Sequence, residues 1–265
     1  MAEAARIAVL KSRAAVRVGG PDWRDFLQGL LTQDVALLAE GELRFGALLT
    51  PQGRLLFDLM IAGRADGCLI DCQAGRREAL IQRLSIYRLR AKVEIAADPA
   101  PVLAAWGGQP DGAGWTADPR LPALGWRGYG LAAAANAGEA DYDACRLALG
   151  VPGSADWGED RTYPIEADFD LLGGIDFKKG CFVGQETTSR MKRRGAIKNR
   201  MLPIDFDGAA PAPGTEVLAG NLRAGEVLSG GEGRAMALLR LDRIEGAALT
   251  IGGRPCQAAP PAWMA

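Results

Sequence analysis

The chain contains no histidine among its 265 residues. That absence removes Ser-His-Asp and Cys-His nucleophile activation, every His-ligated zinc design and the usual proton shuttle near neutral pH. Any chemistry must run on carboxylates, lysines, a thiolate or a bound cofactor. Cysteine is also sparse. The five thiols, at 68, 72, 145, 181 and 256, are odd in number and form no C-x-x-C pair. Neither a disulfide scaffold nor a zinc ribbon is encoded, reduced thiols are expected, and no resident metal is expected. No apolar run reaches the roughly 18 residues that a membrane span needs. The N-terminal "MAEAARIAVLKSRAAVRV" lacks the charged start, unbroken apolar core and cleavage site of a secretory signal. A soluble, cytoplasmic protein without a membrane partner is the expectation. Internal repeats and low-complexity tracts are absent too.

What is present is an ordinary globular composition, 48% hydrophobic, enough for one large or two to three small domains. Charge is unevenly placed. Lys178 to Arg200 holds eight Lys or Arg against one acid, Glu186, a local +7 in a chain of net charge −1, so the other 242 residues carry −8. Such asymmetry points to a local anionic ligand or a solvated basic face rather than to a nucleic-acid-coating protein.

The pattern of elements is α+β. Arg6 to Leu10 and Ala14 to Val18 read as strands, and Gly19-Gly20-Pro21-Asp22 opens a helix whose Trp23, Phe26, Leu27, Leu30 and Leu31 form one apolar stripe. "RFGALLTPQGRLLFDLMIAG" reads as two strands joined by a Thr50-Pro51-Gln52-Gly53 turn. Cys68 to Cys72 forms a further strand with both thiols on one face, read as core. A helix near Ala74 to Leu84 and the strand "AKVEIA" follow. The segment 107–125, rich in Gly, Pro and Asp, is expected to mark a subdomain border, and a helix is expected from Asp141 to Leu149. Beyond the linker-like "DFDGAAPAPGTEV", short runs "TEVLAG", "RAGEVLS", "RAMALLRL" and "ALTIGG" predict a small β-barrel. The expected division is 1–202, two intertwined α/β subdomains, and 203–265, the barrel.

The chemistry-bearing stretch is "FKKGCFVGQETTSRMKRRG". Gly180 and Gly184 bracket Cys181, and glycine lets backbone approach closely or take positive φ. If a helix begins near Gly184, the thiol sits just ahead of unpaired N–H groups, with Lys178 and Lys179 adding positive charge, a setting that favours the thiolate. A small buried hydrophobe is the alternative reading of a lone cysteine. Gln185 and Glu186 can pair with a ligand's polar edges or cap the helix, and Arg190 to Arg194 can grip phosphates or carboxylates.

"KGCFVGQE", Lys179 to Glu186, resembles the K-G-C-[FY]-x-G-Q-E signature of the YgfZ family, folate-binding relatives of the glycine-cleavage T protein that include the mitochondrial iron–sulfur assembly factor. "GPDWRDFLQGLLTQDV", "LLTPQGRLLFDLMI", "YRLRAKVEI", "RLALGVP", "PIEADFDLLGGIDFKKGC" and "RRGAIKNR" are similar to family landmarks in the same order. The resemblance implies a three-part, ring-like T-protein fold, two α/β portions and a C-terminal β-barrel around a folate pocket. It implies a tetrahydrofolate-binding accessory protein for assembly, maintenance or repair of iron–sulfur enzymes, with an indirect effect on tRNA modification. Folate and iron–sulfur enzymes or assembly proteins are the implied partners. Lys179, Cys181, Gly184, Gln185 and Glu186 match the signature, and Arg194 and Gly195 its trailing R-G. Where the T protein has an acidic pair, this chain has Phe57-Asp58, leaving one carboxylate, which argues against aminomethyl transfer. Tyr142, eight residues before Gly150, occupies a position that in the family stacks on a pterin, and with Cys145 and Leu149 it also reads as one apolar helix face. Arg13 replaces the family's other pocket aromatic and is expected to meet the folate glutamate tail.

Two further functions remain open on the sequence. A folate-dependent one-carbon transferase would use Asp58 or Glu186 as its proton-handling carboxylate. An RNA-binding protein would place Arg190 to Arg200 on phosphates, but the segment lacks aromatics for base stacking and the rest of the chain is acidic, so direct nucleic-acid binding is not expected.

Overall fold

The computed structural model describes residues 4–195 and 197–265. The reading of the first three residues as part of a leaderless N-terminus lies outside the described residues. The chain opens with β1 (Arg6–Val9), β2 (Arg13–Gly19) and α1 (Trp23–Gln28), then β3 (Leu43–Leu49), β4 (Leu55–Arg64) and β5 (Gly67–Gln73). Next come α2 (Arg77–Arg88), β6 (Glu94–Asp98), β7 (Val102–Trp106), β8 (Thr116–Ala117), β9 (Trp126–Tyr129) and α3 (Glu139–Ala148). A long irregular stretch leads to α4 (Gln185–Arg194). The remainder is β10 (Asn199–Phe206), β11 (Glu216–Ala219), β12 (Leu222–Gly231), β13 (Arg234–Arg240), α5 (Leu241–Ile244), β14 (Leu249–Ile251) and β15 (Arg254–Ala258).

These elements make a five-stranded sheet ordered β3-β4-β5-β2-β6, a four-stranded sheet ordered β1-β7-β9-β8, and a closed barrel ordered β10-β13-β12-β11-β14-β15. The mixed α+β character and the C-terminal barrel agree with the sequence reading. The segment 107–125, expected to mark a border, instead runs from β7 to β9 and lends β8 to the same four-stranded sheet. The expected division at 202/203 falls within β10. The first helix is shorter than its apolar stripe: α1 ends at Gln28, and Leu31 leaves the helix to bridge Leu48.

The two-residue period of strands explains how the five-stranded sheet is used. Cys68, Ile70 and Cys72 on β5, with Val16 and Val18 on β2 and Leu59 and Ile61 on β4, pack with Trp23 and Leu27 of α1 and Leu80 and Leu84 of α2. Both thiols are core, as the sequence predicted, and burial pushes each up to about 12. The opposite face carries Ala15, Met60, Ala62 and Leu69 into a second core with Ala104 and Trp106 of β7, Tyr142 and Phe169. Arg13, Asp58 and Asp71 share this inner parity. Three charged residues are thereby aimed into the molecule.

Candidate functional site

The signature segment is seated by two glycines that touch each other's turns. Gly184, the residue before α4, has φ +80, and a Cβ there would lie 2.5 Å from Thr50 O and 2.9 Å from Gly53 Cα. Gly53, at φ +84 in the β3–β4 turn, would place a Cβ 2.9 Å from Thr187 Cβ and 3.0 Å from Gly184 O. Only residues without a Cβ allow this approach. The "TPQG" turn and the start of α4 therefore form one packed unit.

Cys181 lies four residues before α4 and is exposed. It is not the small buried hydrophobe of the alternative reading. Phe182 beside it is buried in the inner core. Gln185 reaches back with its side-chain N–H to Gly180 O at 3.5 Å, and Glu186 is exposed. Lys179 behaves differently from the expectation that it lends charge to the thiol. Its ammonium is turned into the protein and donates to the main-chain carbonyls of Gln28 (2.7 Å), Leu31 (2.6 Å) and Gln33 (3.1 Å). Burial lowers it to about 8, against the opposing pull of Asp34 and Asp176.

Arg194, also named from the signature, is exposed at the other end of α4. Nine residue steps at helical rise separate it from Gln185, roughly 14 Å. Arg193 and Arg194 therefore stand at the opposite end of α4 from the turn that leads out of Cys181.

Arg13 and Asp58 do meet, inside the molecule. Arg13 donates from Nε to Asp71 (2.6 Å) and from Nη1 to Asp58 (2.6 Å) and Ser154 Oγ (2.7 Å). Its Nη2 donates to the Asp71 carbonyl (2.9 Å). Ser154 Oγ in turn donates to Asp58 at 2.9 Å. Burial alone would lower the Arg13 pKa, but Asp58 and Asp71 more than offset it and hold it above its ordinary value. Arg13, expected to meet a glutamate tail, is buried between two carboxylates that neutralise it. Asp58 is likewise committed to Arg13 and Ser154.

A second network, which the sequence reading missed, lies alongside. Arg120 holds Asp118 in a two-pronged pair (2.9 and 2.7 Å), and Arg127 Nε lies 3.5 Å from the same carboxylate. Tyr142 is buried here, its ring edge-on to Trp106 with centroids 5.3 Å apart and its hydroxyl 3.4 Å from Arg127 Nη2. Burial raises the phenol pKa. Tyr129 donates to Asp71 at 3.2 Å, joining the two networks. Arg127 Nε and Nη1 are buried without a hydrogen-bond partner among the described residues. The signal in the sequence was a charge inside the apolar "GWRGYG" run, which a packed strand tolerates only with partners. Three guanidiniums, Arg13, Arg120 and Arg127, face three carboxylates, Asp58, Asp71 and Asp118, so this interior has no net charge to attract a free anion.

Among the described residues no group of three or more His, Cys, Asp or Glu is placed to hold a metal, and no helix is long and apolar enough to cross a membrane.

The fold is of the aminomethyltransferase T type, with a C-terminal β-barrel. The structure resembles the glycine cleavage system aminomethyltransferase T from Bartonella henselae, with TM-score 0.76 and 19% identity, covering 100% of this chain and 87% of that one. Residues 198–265 match the family described as the CAF17 C-terminal beta-barrel domain. The mitochondrial iron-sulfur cluster assembly factor IBA57 of Mus musculus is 31% identical over 89% of this chain and 78% of its own length. That of Homo sapiens is 32% identical with the same coverage. The homologue from Phaeosphaeria nodorum is 36% identical over 77% of this chain and 56% of its own length. The chain belongs to this YgfZ/IBA57 family of iron–sulfur cluster assembly factors.

Proposed function

We propose that the protein serves the assembly or maintenance of iron–sulfur proteins, with Cys181 as its working thiol and a reduced folate as its ligand. The observation that carries the reading is Cys181 itself: an exposed thiol on a turn fixed by Gly53, Gly184 and Lys179, in a chain of this family. An exposed cysteine on an anchored turn is accessible to a partner's metal or to an electrophile, as a core cysteine is not. One thiol cannot hold a cluster alone, so any cluster contact needs ligands from a partner or a second copy.

The folate part of the proposal is supported by the buried interior. A pterin is flat, uncharged and carries a carbonyl, and Arg127 has two buried N–H donors without acceptors beside the rings of Tyr142 and Trp106. A buried donor left unpaired costs about 1–3 kcal/mol, which a ligand carbonyl would recover. Arg127 and Tyr142 are the residues that would hold such a ring. One-carbon transfer with Asp58 as base is not favoured, because its carboxylate is held in an ion pair by Arg13 and accepts the single Ser154 hydroxyl proton.

The test is anaerobic calorimetric titration with tetrahydrofolate of the wild type, Cys181→Ala and Arg127→Met, with complementation of iron–sulfur enzyme activity in cells lacking the gene. Binding retained by the Cys181 variant and weakened about tenfold or more by Arg127→Met is expected. Cys181→Ala should fail to complement. Full complementation by Cys181→Ala would remove the thiol from the function, and absence of wild-type binding would remove folate.

A further inference from the structure

The ammonium of Lys179 occupies a cage that fits it closely. Three N–H donors meet three carbonyl oxygens, those of Gln28, Leu31 and Gln33, at 2.6–3.1 Å. All three hydrogens of a protonated lysine are thereby used, and a neutral amine has only two to give. Gln28 is the last residue of α1. Its carbonyl is one of those a helix leaves without an internal partner, and a cation there is favoured. The same two loops are joined elsewhere: Thr32 Oγ1 donates to Gly174 O (2.7 Å), Gln33 Nε2 donates to Gly173 O (2.6 Å), and Asp176 N donates to Thr32 O (3.0 Å). Without Lys179 this stitching stops at Asp176. With it, the 28–33 loop is tied to a residue two positions from the thiol.

We propose that Lys179 is the positioning residue of the Cys181 turn, its ammonium serving as a tethered cation in a main-chain carbonyl cage that fixes where the thiol is presented. The proposal rests on Cys181 being the working thiol and assigns Lys179 a part in that site. It differs from the electrostatic role that the sequence implied. A lysine that lends charge to a neighbouring sulfur is replaceable by arginine and need not be buried. A compact ammonium converging on three carbonyls is not replaceable by a planar guanidinium fork. Burial points the same way, since only 8% of Lys179 is exposed whereas its neighbour Lys178 is exposed.

Lys179→Arg and Lys179→Met separate the two roles. Hydrogen exchange is followed on residues 177–184 and 28–33, with the barrel strands as internal reference. Alkylation by iodoacetamide is measured from pH 5.5 to 9.5, reading Cys181 against Cys256. Positioning predicts exchange in both segments about tenfold faster or more in each variant, with unchanged barrel exchange. It also predicts a Cys181 alkylation rate at pH 7, where the Lys179 ammonium is charged, altered about threefold or more relative to Cys256, at an unmoved pH midpoint. Wild-type exchange in Lys179→Arg overturns the proposal, even if the Met variant does not fold. A raised alkylation midpoint in Lys179→Met with wild-type exchange overturns it in favour of the charge role. These readouts need no iron–sulfur assay, so failure of Cys181→Ala to affect cells would sink the functional reading and leave the cage result standing.

Discussion

Asp168 offers a clean perturbation because the chain has no histidine. It is fully buried, stands at φ +61, and accepts from Arg200 Nη1 through Oδ1 at 2.8 Å. Its other oxygen has no partner among the described residues. Burial, with Asp170 adding to it and Arg200 opposing, raises the carboxyl from 3.8 to about 7. The folded state therefore holds a proton that the unfolded chain releases. A group raised in this way contributes stability that is fully present below pH 3.8 and lost as pH rises through about 7. Between pH 5.5 and 7 the loss is roughly 2 kcal/mol, at 1.36 kcal/mol per pH unit. In a chain of this size that lowers Tm by about 4 °C or more. Ordinary carboxylates have finished titrating below this window. Lys179, lowered by burial to about 8, titrates only above it. The variant Asp168→Asn keeps an acceptor for Arg200, and asparagine tolerates the left-handed backbone. Thermal unfolding of wild type and variant at half-unit pH steps checks the reasoning. The wild type should lose stability from pH 5.5 to 7 and the variant should be flat there. A flat wild-type profile, or an equal slope in the variant, refutes it.

Two other substitutions probe the packing of the site. Gly184→Ala must leave its positive φ and push the Thr50 carbonyl away from a 2.5 Å contact, so a loss of about 2 kcal/mol or more, with faster proteolysis at the start of α4, is expected in urea unfolding. Arg13→Met strands Asp58 and Asp71 in the interior and should cost about 3–5 kcal/mol. Replacing all three by apolar residues should recover much of that loss.

The sequence revealed the elements whose pattern was clean. The alternation through Cys68, Ile70 and Cys72 correctly placed both thiols in the core, and Gly184 correctly opened α4. Barrel strands β10 and β15 escaped because each contains a proline, Pro203 and Pro255, a residue that ordinarily argues against a paired strand. Pro203 nevertheless stands opposite Met236 and accepts from Ala259 N at 2.8 Å, since a proline keeps its carbonyl. The interior was less legible still. No motif sets Arg120 and Arg127 apart, although Asp118 is their near neighbour in the chain. The resemblance puts Arg13 in a folate pocket, whereas the fold brings Asp58 and Asp71 to it from strands 45 and 58 residues away. Lys179 misled for the same reason, because its acceptors are carbonyls about 150 residues earlier and carbonyls leave no mark in sequence.

The charge count of the signature segment has to be read again in this light. Of its eight cations, Lys179 is held by carbonyls, Arg200 by Asp168 and Asp170, and Lys192 by Asp170. Lys178, Arg190, Arg193, Arg194 and Lys198 are left exposed. Arg193 and Arg194 stand in the last turn of α4, where cations stabilise the helix whatever else they do. The +7 balance is thus not one anion site beside a thiol. It is divided between internal fastening and exposed cations that run from Lys178, just before the thiol, along α4 to Lys198 beyond it. A ligand that reaches from the start of α4 to Arg194 must extend along the helix for roughly 14 Å. A pterin ring is too short for that, whereas an extended glutamyl tail or a protein surface is long enough.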